Sequence, residues 1–196
     1  MFSELEKKII FKVKQQISDR FAAFKTKPYY KPELPWNKVY LSGGAIASLL
    51  QLETPKDWDF YFDDIDTMFL FEKHLRQCEL FIADVNDKYG NYGVNGKMIT
   101  ANAITMDDGN SFITKVSGTP SQVKASFDYV HCTPHFIDGK LYISEKQFDA
   151  IVNKKLIVNN SHAVKEYRHQ KFLSRGYTDA TIRDKVLLAA YRTSTT

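Results

Sequence analysis

Long hydrophobic runs are missing from this 196-residue chain. No stretch approaches the ~20 apolar residues of a transmembrane helix, and the first residues lack the basic-then-apolar order of a secretory leader. Cysteine is scarce, with only Cys78 and Cys132. That excludes a disulfide scaffold and fits a reducing compartment, where lone cysteines act as small buried hydrophobes; one bridge between the two stays open. A net charge of +4 is too small for general polyelectrolyte binding to nucleic acid and leaves room only for local basic patches. Repeats and Gly/Ser-rich linkers are absent, so nothing cuts the chain into independent domains. These absences point to a cytoplasmic protein with no membrane partner.

What the chain does have is a core's worth of apolar residues, 43% hydrophobic and 14% aromatic. Its most informative stretch is Val39-Tyr40-Leu41-Ser42-Gly43-Gly44, followed by Lys56-Asp57-Trp58-Asp59-Phe60-Tyr61-Phe62. This reads as an apolar strand, a Ser-Gly-Gly turn, a short helix over 45–50, and a second strand. Glycines let a backbone approach an anion closely, and N–H groups at a turn and helix start point toward it. Side chains alternate along a strand, so Asp57 and Asp59 share one face while Trp58, Phe60 and Phe62 share the other. Two carboxylates ~7 Å apart beside such a turn suit Mg²⁺ ions and a nucleoside triphosphate. The competing reading is a glycine-requiring turn and a strand end with solvated aspartates.

Gly43-Gly44, with Asp57-x-Asp59 starting thirteen positions after Gly44, resembles the signature of the polymerase-β-type nucleotidyltransferase superfamily, with spacing closest to the head domain of CCA-adding enzymes and poly(A) polymerases. The sequence departs from that pattern at Ala47-Ser48, where CCA-adding enzymes carry an Arg-Asp pair. The resemblance implies a third carboxylate on a neighbouring strand, and Asp128, within Phe127-Asp128-Tyr129-Val130-His131-Cys132, matches it. That run, with Asn102-Ala103-Ile104-Thr105 and Arg168-x-x-Lys171-Phe172-x-x-Arg175-Gly176-Tyr177, is also similar to small phage-encoded members of the superfamily. A carboxylate in so apolar a strand needs a cation or donors to offset its burial; the alternative is a strand edge with Asp128 facing water.

The rest of the chain fills in around these motifs. Phe2, Leu5, Ile9, Val13 and Ile17 recur at helical spacing over 3–25, with Ser3 and Glu6 as a capping box. Pro28, Pro32 and Pro35 make an extended connector whose Tyr29 and Tyr30 are expected to pack over the sheet edge, the alternative being to stack a base. Asp63 or Asp64 caps a helix over 65–78 with Ile65, Phe69 and Leu75 on one face. Turn residues around Tyr89 and Tyr92 mark a loop over 80–96, and 98–105 with 111–116 form a hairpin around Asp107-Asp108-Gly109-Asn110. Pro120 opens a short helix, 126–131 is a strand, and a second hairpin turns at Asp138-Gly139. Ser144 with Gln147 caps a helix over 145–153, 156–158 is a short strand, and Asn160 or Ser161 opens a helix to Arg175 that stops at Gly176. On it Arg168, Lys171 and Arg175 make one cationic stripe. A final helix over 180–192 follows, capped by Thr178 or Asp179. His131, Cys132 and His135 lack a fourth zinc ligand, and His131 reads as a packed core histidine.

The fold expected is α/β: a small mixed, mostly antiparallel sheet backed by helices, with a C-terminal helical hairpin. An N-terminal helix and connector (1–36), a nucleotidyltransferase core (37–160) and the hairpin (161–196) form a single compact unit. The function expected is Mg²⁺-dependent transfer of a nucleoside monophosphate from an NTP to a hydroxyl, most readily an RNA or tRNA 3′ end. Ser42, Gly43, Gly44, Arg168, Lys171 and Arg175 would hold the NTP. Asp57, Asp59 and Asp128 would bind two Mg²⁺ ions, with Asp128 activating the acceptor. The alternatives are modification of a protein hydroxyl, NTP binding without turnover, or a phage interaction protein with a degenerate site acting in the host cytoplasm.

Overall fold

The computed structural model describes residues 1–78, 81–83 and 96–180. Helix α1 (Glu4–Ala23) leads through a Pro/Tyr connector to strand β1 (Val39–Ser42), helix α2 (Gly44–Leu50), strand β2 (Trp58–Phe62) and helix α3 (Ile65–Gln77). Strands β3 (Phe81–Ala83), β4 (Gly96–Ile99), β5 (Ala103–Met106) and β6 (Asn110–Ile113) precede helix α4 (Pro120–Ala125). Then come β7 (His135–Ile137), β8 (Lys140–Tyr142), α5 (Glu145–Val152), β9 (Lys155–Leu156), α6 (Glu166–Ser174) and β10 (Thr178–Asp179). Among the described residues, eight strands form one sheet in the order β3-β4-β5-β6-β2-β1-β7-β8, and β9 and β10 pair separately. Among the described residues only β2–β6 and β3–β4 run parallel within the large sheet, so the expected mixed, mostly antiparallel α/β architecture is what the chain adopts.

Alternation along β1 and β2 builds two layers. Val39, Leu41, Phe60 and Phe62 enter the main core with Phe24, Phe71 and Phe112, under α1, α2 and α3. Complete burial of one such side chain stabilises by about 1.5–3 kcal/mol. Tyr40 and Tyr61 point the other way, stack at 5.6 Å and pack with Val123 of α4. Asp57 and Asp59 belong to this second face. The N-terminal helix starts at the Ser3–Glu6 capping box, and its register is fixed by Val13 and Ile17, both buried. Tyr29 is buried, with its hydroxyl donating to Asp108 at 3.0 Å, and Tyr30 stacks on Trp36.

Several expectations require correction. Ile65 and Phe69 are 54% exposed, and α3 buries Thr67, Met68, Phe71 and Leu75 instead. At 100° per residue these four cluster, whereas Ile65 and Phe69 fall roughly a quarter-turn or more away. Asp64 does cap α3, accepting from the Thr67 N–H at 2.7 Å. The expected strand 98–105 breaks at Thr100, whose hydroxyl accepts from the Asn102 and Ala103 N–H groups and turns β4 into β5. The hairpins at Gly109 and at Asp138-Gly139 form with positive φ at the turn.

The expected strand over 126–131 is a single bridge, Tyr129 to Val158, followed by a 3-10 turn over Val130–Cys132. Here the Asp128 carbonyl accepts from the Asn159 and Asn160 N–H groups and the Val130 N–H donates to Ile157, so 157–160 takes up the backbone groups a sheet neighbour would need. The helix expected from 160 divides into a 3-10 turn, Ser161–Ala163, and α6. Extended, buried Val164 sits between them, packed with Tyr129, Phe172 and Tyr177. Thr178 and Asp179 pair with β9, and the helix they were expected to cap lies outside the described residues. The 80–96 loop lies outside the described residues but for 81–83 and 96, and the final helix but for Ala180.

Candidate functional site

The Ser-Gly-Gly turn joins β1 to α2. Gly43 has φ +91° and ψ −143°, a conformation that L side chains rarely adopt, and a Cβ there would stand 3.8 Å from Asp59 Oδ2. Conformation rather than space therefore requires glycine at 43, and it sets this backbone directly against the Asp59 carboxylate. Gly44 opens α2 with open space where a Cβ would be. Ser42 is buried, and its hydroxyl donates to the Pro134 carbonyl at 2.8 Å. It braces β1 against the entry to β7.

Asp57 is exposed just before β2, and Asp59 is half-buried on the strand. Burial, then the Asp57 charge, pushes the Asp59 carboxyl up to about 6, while Lys171 and Arg168 pull it down. A carboxylate left so short of positive charge suits a cation, and Mg²⁺ commonly uses one or two carboxylates plus substrate phosphates. The donor set present fits that ion. Among the described residues, however, no group of three His, Cys, Asp or Glu side chains is arranged to hold a metal.

Asp128 is 3% exposed, and Arg168 is the cation beside it among the described residues. Arg168 donates to both of its oxygens through Nε and Nη2, and Oδ1 also accepts from the Tyr129 N–H. Burial opposes the Arg168 charge, and the bonds and charge of Asp128 more than offset it, holding the guanidinium above its usual range. Lys171 and Arg175, on or beside α6, are exposed, and no ion pair engages them among the described residues. Burial, then Arg175 and Arg168, pulls the Lys171 ammonium down. His131 is the packed histidine expected, 1% exposed between Tyr129, Phe172 and Tyr177, and pushed down to about 3 by burial and by Arg168 and Arg175. Burial pushes the Cys132 thiol up to about 12. Of the residues singled out by sequence, Gly43 and Asp59 lie close together, Asp57 shares their face, and α6 brings Arg168 and Lys171 close enough for Asp59 to feel their charge. Asp128 joins the cluster through Arg168.

Two features were not read from the sequence. Ser111 pairs in register with Asp59, and its hydroxyl bonds that of Thr105 at 2.7 Å, extending a polar row across three strands. Polar Ser111 alternating with buried Phe112 was the signal for it. The second is a network behind the site. Asn110 donates to the Tyr29 hydroxyl and Asp108, and Arg20 donates to Asn110 and the Asp108 carbonyl. It fixes the turn whose Gly109 carbonyl accepts from the Trp58 N–H at 3.0 Å, between the two acidic residues. Its members lie some ninety residues apart, so no local spacing announces it. Two clefts, of about 440 and 520 Å³, lie elsewhere, one beside Lys124 and Asn159, the other between α1 and the Leu52–Pro55 segment.

The model of the Gabija anti-defense 2 (Gad2) family matches residues 6–154. The chain belongs to this family. Its fold is that of the nucleotidyltransferase region of CCA-adding enzymes. The Thermotoga maritima CCA-adding enzyme complexed with tRNA matches with a TM-score of 0.56 at 14% identity, over 91% of this chain and 44% of that one. A CCA-adding enzyme in complex with ATP matches with a TM-score of 0.56 at 12% identity, over 93% and 45%. A complex with CTP gives 0.52 at 14%, over 79% and 37%. The chain thus spans less than half the length of these enzymes. No curated protein matches the sequence. No helix among the described residues is long and apolar enough to cross a membrane.

Proposed function

We propose that this chain counteracts the Gabija defence system as a nucleotide-binding protein of nucleotidyltransferase fold, with a Mg²⁺-bound nucleoside triphosphate seated at Asp57, Asp59 and the Ser42–Gly44 turn. The observation that carries the reading is Asp59, held up to about 6 beside Asp57 and set against the Gly43 backbone. In it Asp57 and Asp59 orient the ion, Gly43 and Gly44 give the phosphates a backbone surface to approach, and Lys171 and Arg175 neutralise triphosphate charge. Mg²⁺, when bound, supplies charge neutralisation at the phosphates. The family supports the Gabija target, and the likeness to ATP- and CTP-complexed enzymes supports the nucleotide only at the level of fold.

Turnover is the finer reading. An acceptor hydroxyl would attack the α-phosphorus, a P–O bond would form as the bond to pyrophosphate breaks, and the hydroxyl proton would leave to a base. An RNA 3′ end and a protein hydroxyl are the two acceptor classes. A second reading, an interaction protein whose site no longer turns over, is favoured by the engagement of Asp128 with Arg168. The test is phage plating on cells carrying Gabija that express wild type, Asp57→Asn/Asp59→Asn, or neither. Nucleotide-dependent action is expected to restore plating with wild type alone. Equal restoration by the double variant would favour the interaction reading.

A further inference from the structure

The Asp128–Arg168 pair has a geometry that a third metal ligand would not need. Both carboxylate oxygens are occupied, one by Arg168 Nε, the other by Arg168 Nη2 at 3.2 Å and the Tyr129 N–H at 3.0 Å. A metal ion would have to displace a guanidinium from a carboxylate that is 3% exposed. Arg168 is gripped from a second side, its guanidinium carbon 5.4 Å from the Phe172 ring centroid. Phe172 in turn packs against Tyr129, His131 and Tyr177. Yet the arginine is not consumed. Its side chain is 34% exposed, and Nη1 has no partner among the described residues. Lys171 lies one turn further along α6, and the charges of both are felt at Asp59.

We propose that Asp128 is a positioning residue rather than a metal ligand: its bidentate grip fixes Arg168 so that the free Nη1 edge meets a phosphate oxygen of the nucleotide held at Asp57 and Asp59. This inference rests on the nucleotide reading above. The physical case is pre-organisation. An unconstrained arginine carries substantial rotamer entropy, and one clamped by a buried carboxylate and a ring has given it up before the ligand arrives. The clamp also tolerates three cations on one helix face, because Asp128 offsets the one nearest the core.

The experiment separates metal from anion. Mn²⁺ binding is followed by electron paramagnetic resonance, and tripolyphosphate binding in EDTA by calorimetry, on wild type, Asp57→Asn/Asp59→Asn, Asp128→Asn, Arg168→Gln and Arg168→Lys. Asp128→Asn is expected to keep Mn²⁺ affinity within about twofold while weakening tripolyphosphate about ten- to a hundredfold. Arg168→Gln should match that loss, and Asp128→Asn/Arg168→Gln should be no worse than either single variant. Arg168→Lys, at a partly exposed position that tolerates the change, should lose about tenfold because an ammonium cannot use the fork. Loss of Mn²⁺ binding in folded Asp128→Asn would overturn the inference and make Asp128 a ligand. Unchanged tripolyphosphate affinity in Asp128→Asn or in Arg168→Lys would overturn it while leaving the nucleotide reading intact. A wild type that binds neither probe would overturn both.

Discussion

The two faces of strand β2 are built on opposite terms. On one, Phe60 and Phe62 are fully buried among aromatic rings. Behind them, the buried polar atoms of Tyr29 and Asn110 are hydrogen-bonded. On the other, Asp57 and Asp59 repel each other beside a glycine turn, and the cations of α6 offset only part of that charge. The alternation of one five-residue strand thus separates stability from chemistry. The first face holds the fold together, and the second carries a cost that a ligand can relieve.

Substitutions that exchange the character of the two faces sharpen the comparison. The largest effect is expected at Phe60: Phe60→Ala should destabilise by about 3–5 kcal/mol through lost transfer energy and a cavity, read as a lower urea midpoint at unchanged slope. Next, and opposite in sign, is Asp59. Its folded pKa, about 6, lies above the ordinary 3.8, so between those values the native state binds more protons than the unfolded one. Its penalty is full above pH 6, shrinks as pH falls, and is gone near pH 4. Asp59→Asn should therefore stabilise the ligand-free protein by about 2–3 kcal/mol at pH 7.5 and by nothing at pH 4, in paired urea melts. A constant difference across that range would mean Asp59 is not desolvated as described.

Smaller effects test the frame. Tyr29→Phe should cost about 1–2 kcal/mol by leaving Asn110 and Asp108 each short of a partner, seen in the same melts. Ser3→Ala should cost about 1 kcal/mol by removing the α1 cap, lowering Tm by a few degrees.

How much of this was legible in the sequence follows from the range of the interactions. The capping boxes at Ser3 and Ser144, the Asp64 cap, both hairpin turns and the Gly43 turn depend on residues within four positions of each other, and they were read directly. The sheet faces of Asp57 and Asp59 followed from period two alone. Asp128 was legible as a buried carboxylate needing a cation, but its partner lies forty residues away on α6, so the sequence could not choose between arginine and metal. A still longer separation hid the Arg20–Asn110–Tyr29 network. On α3, a helical period that accommodates Ile65 and Phe69 equally well cannot show which stripe meets Phe62, and their exposure follows from tertiary packing.

The measurement that tests the central claim most directly is a thermal-unfolding panel of each NTP, with and without Mg²⁺, on wild type and Asp57→Asn/Asp59→Asn. A charged second face built for a nucleotide predicts a Mg²⁺-dependent rise in Tm with at least one NTP, lost in the double variant. No rise with any NTP, or an equal rise in the double variant, would contradict it and leave the acidic face without the ligand proposed for it.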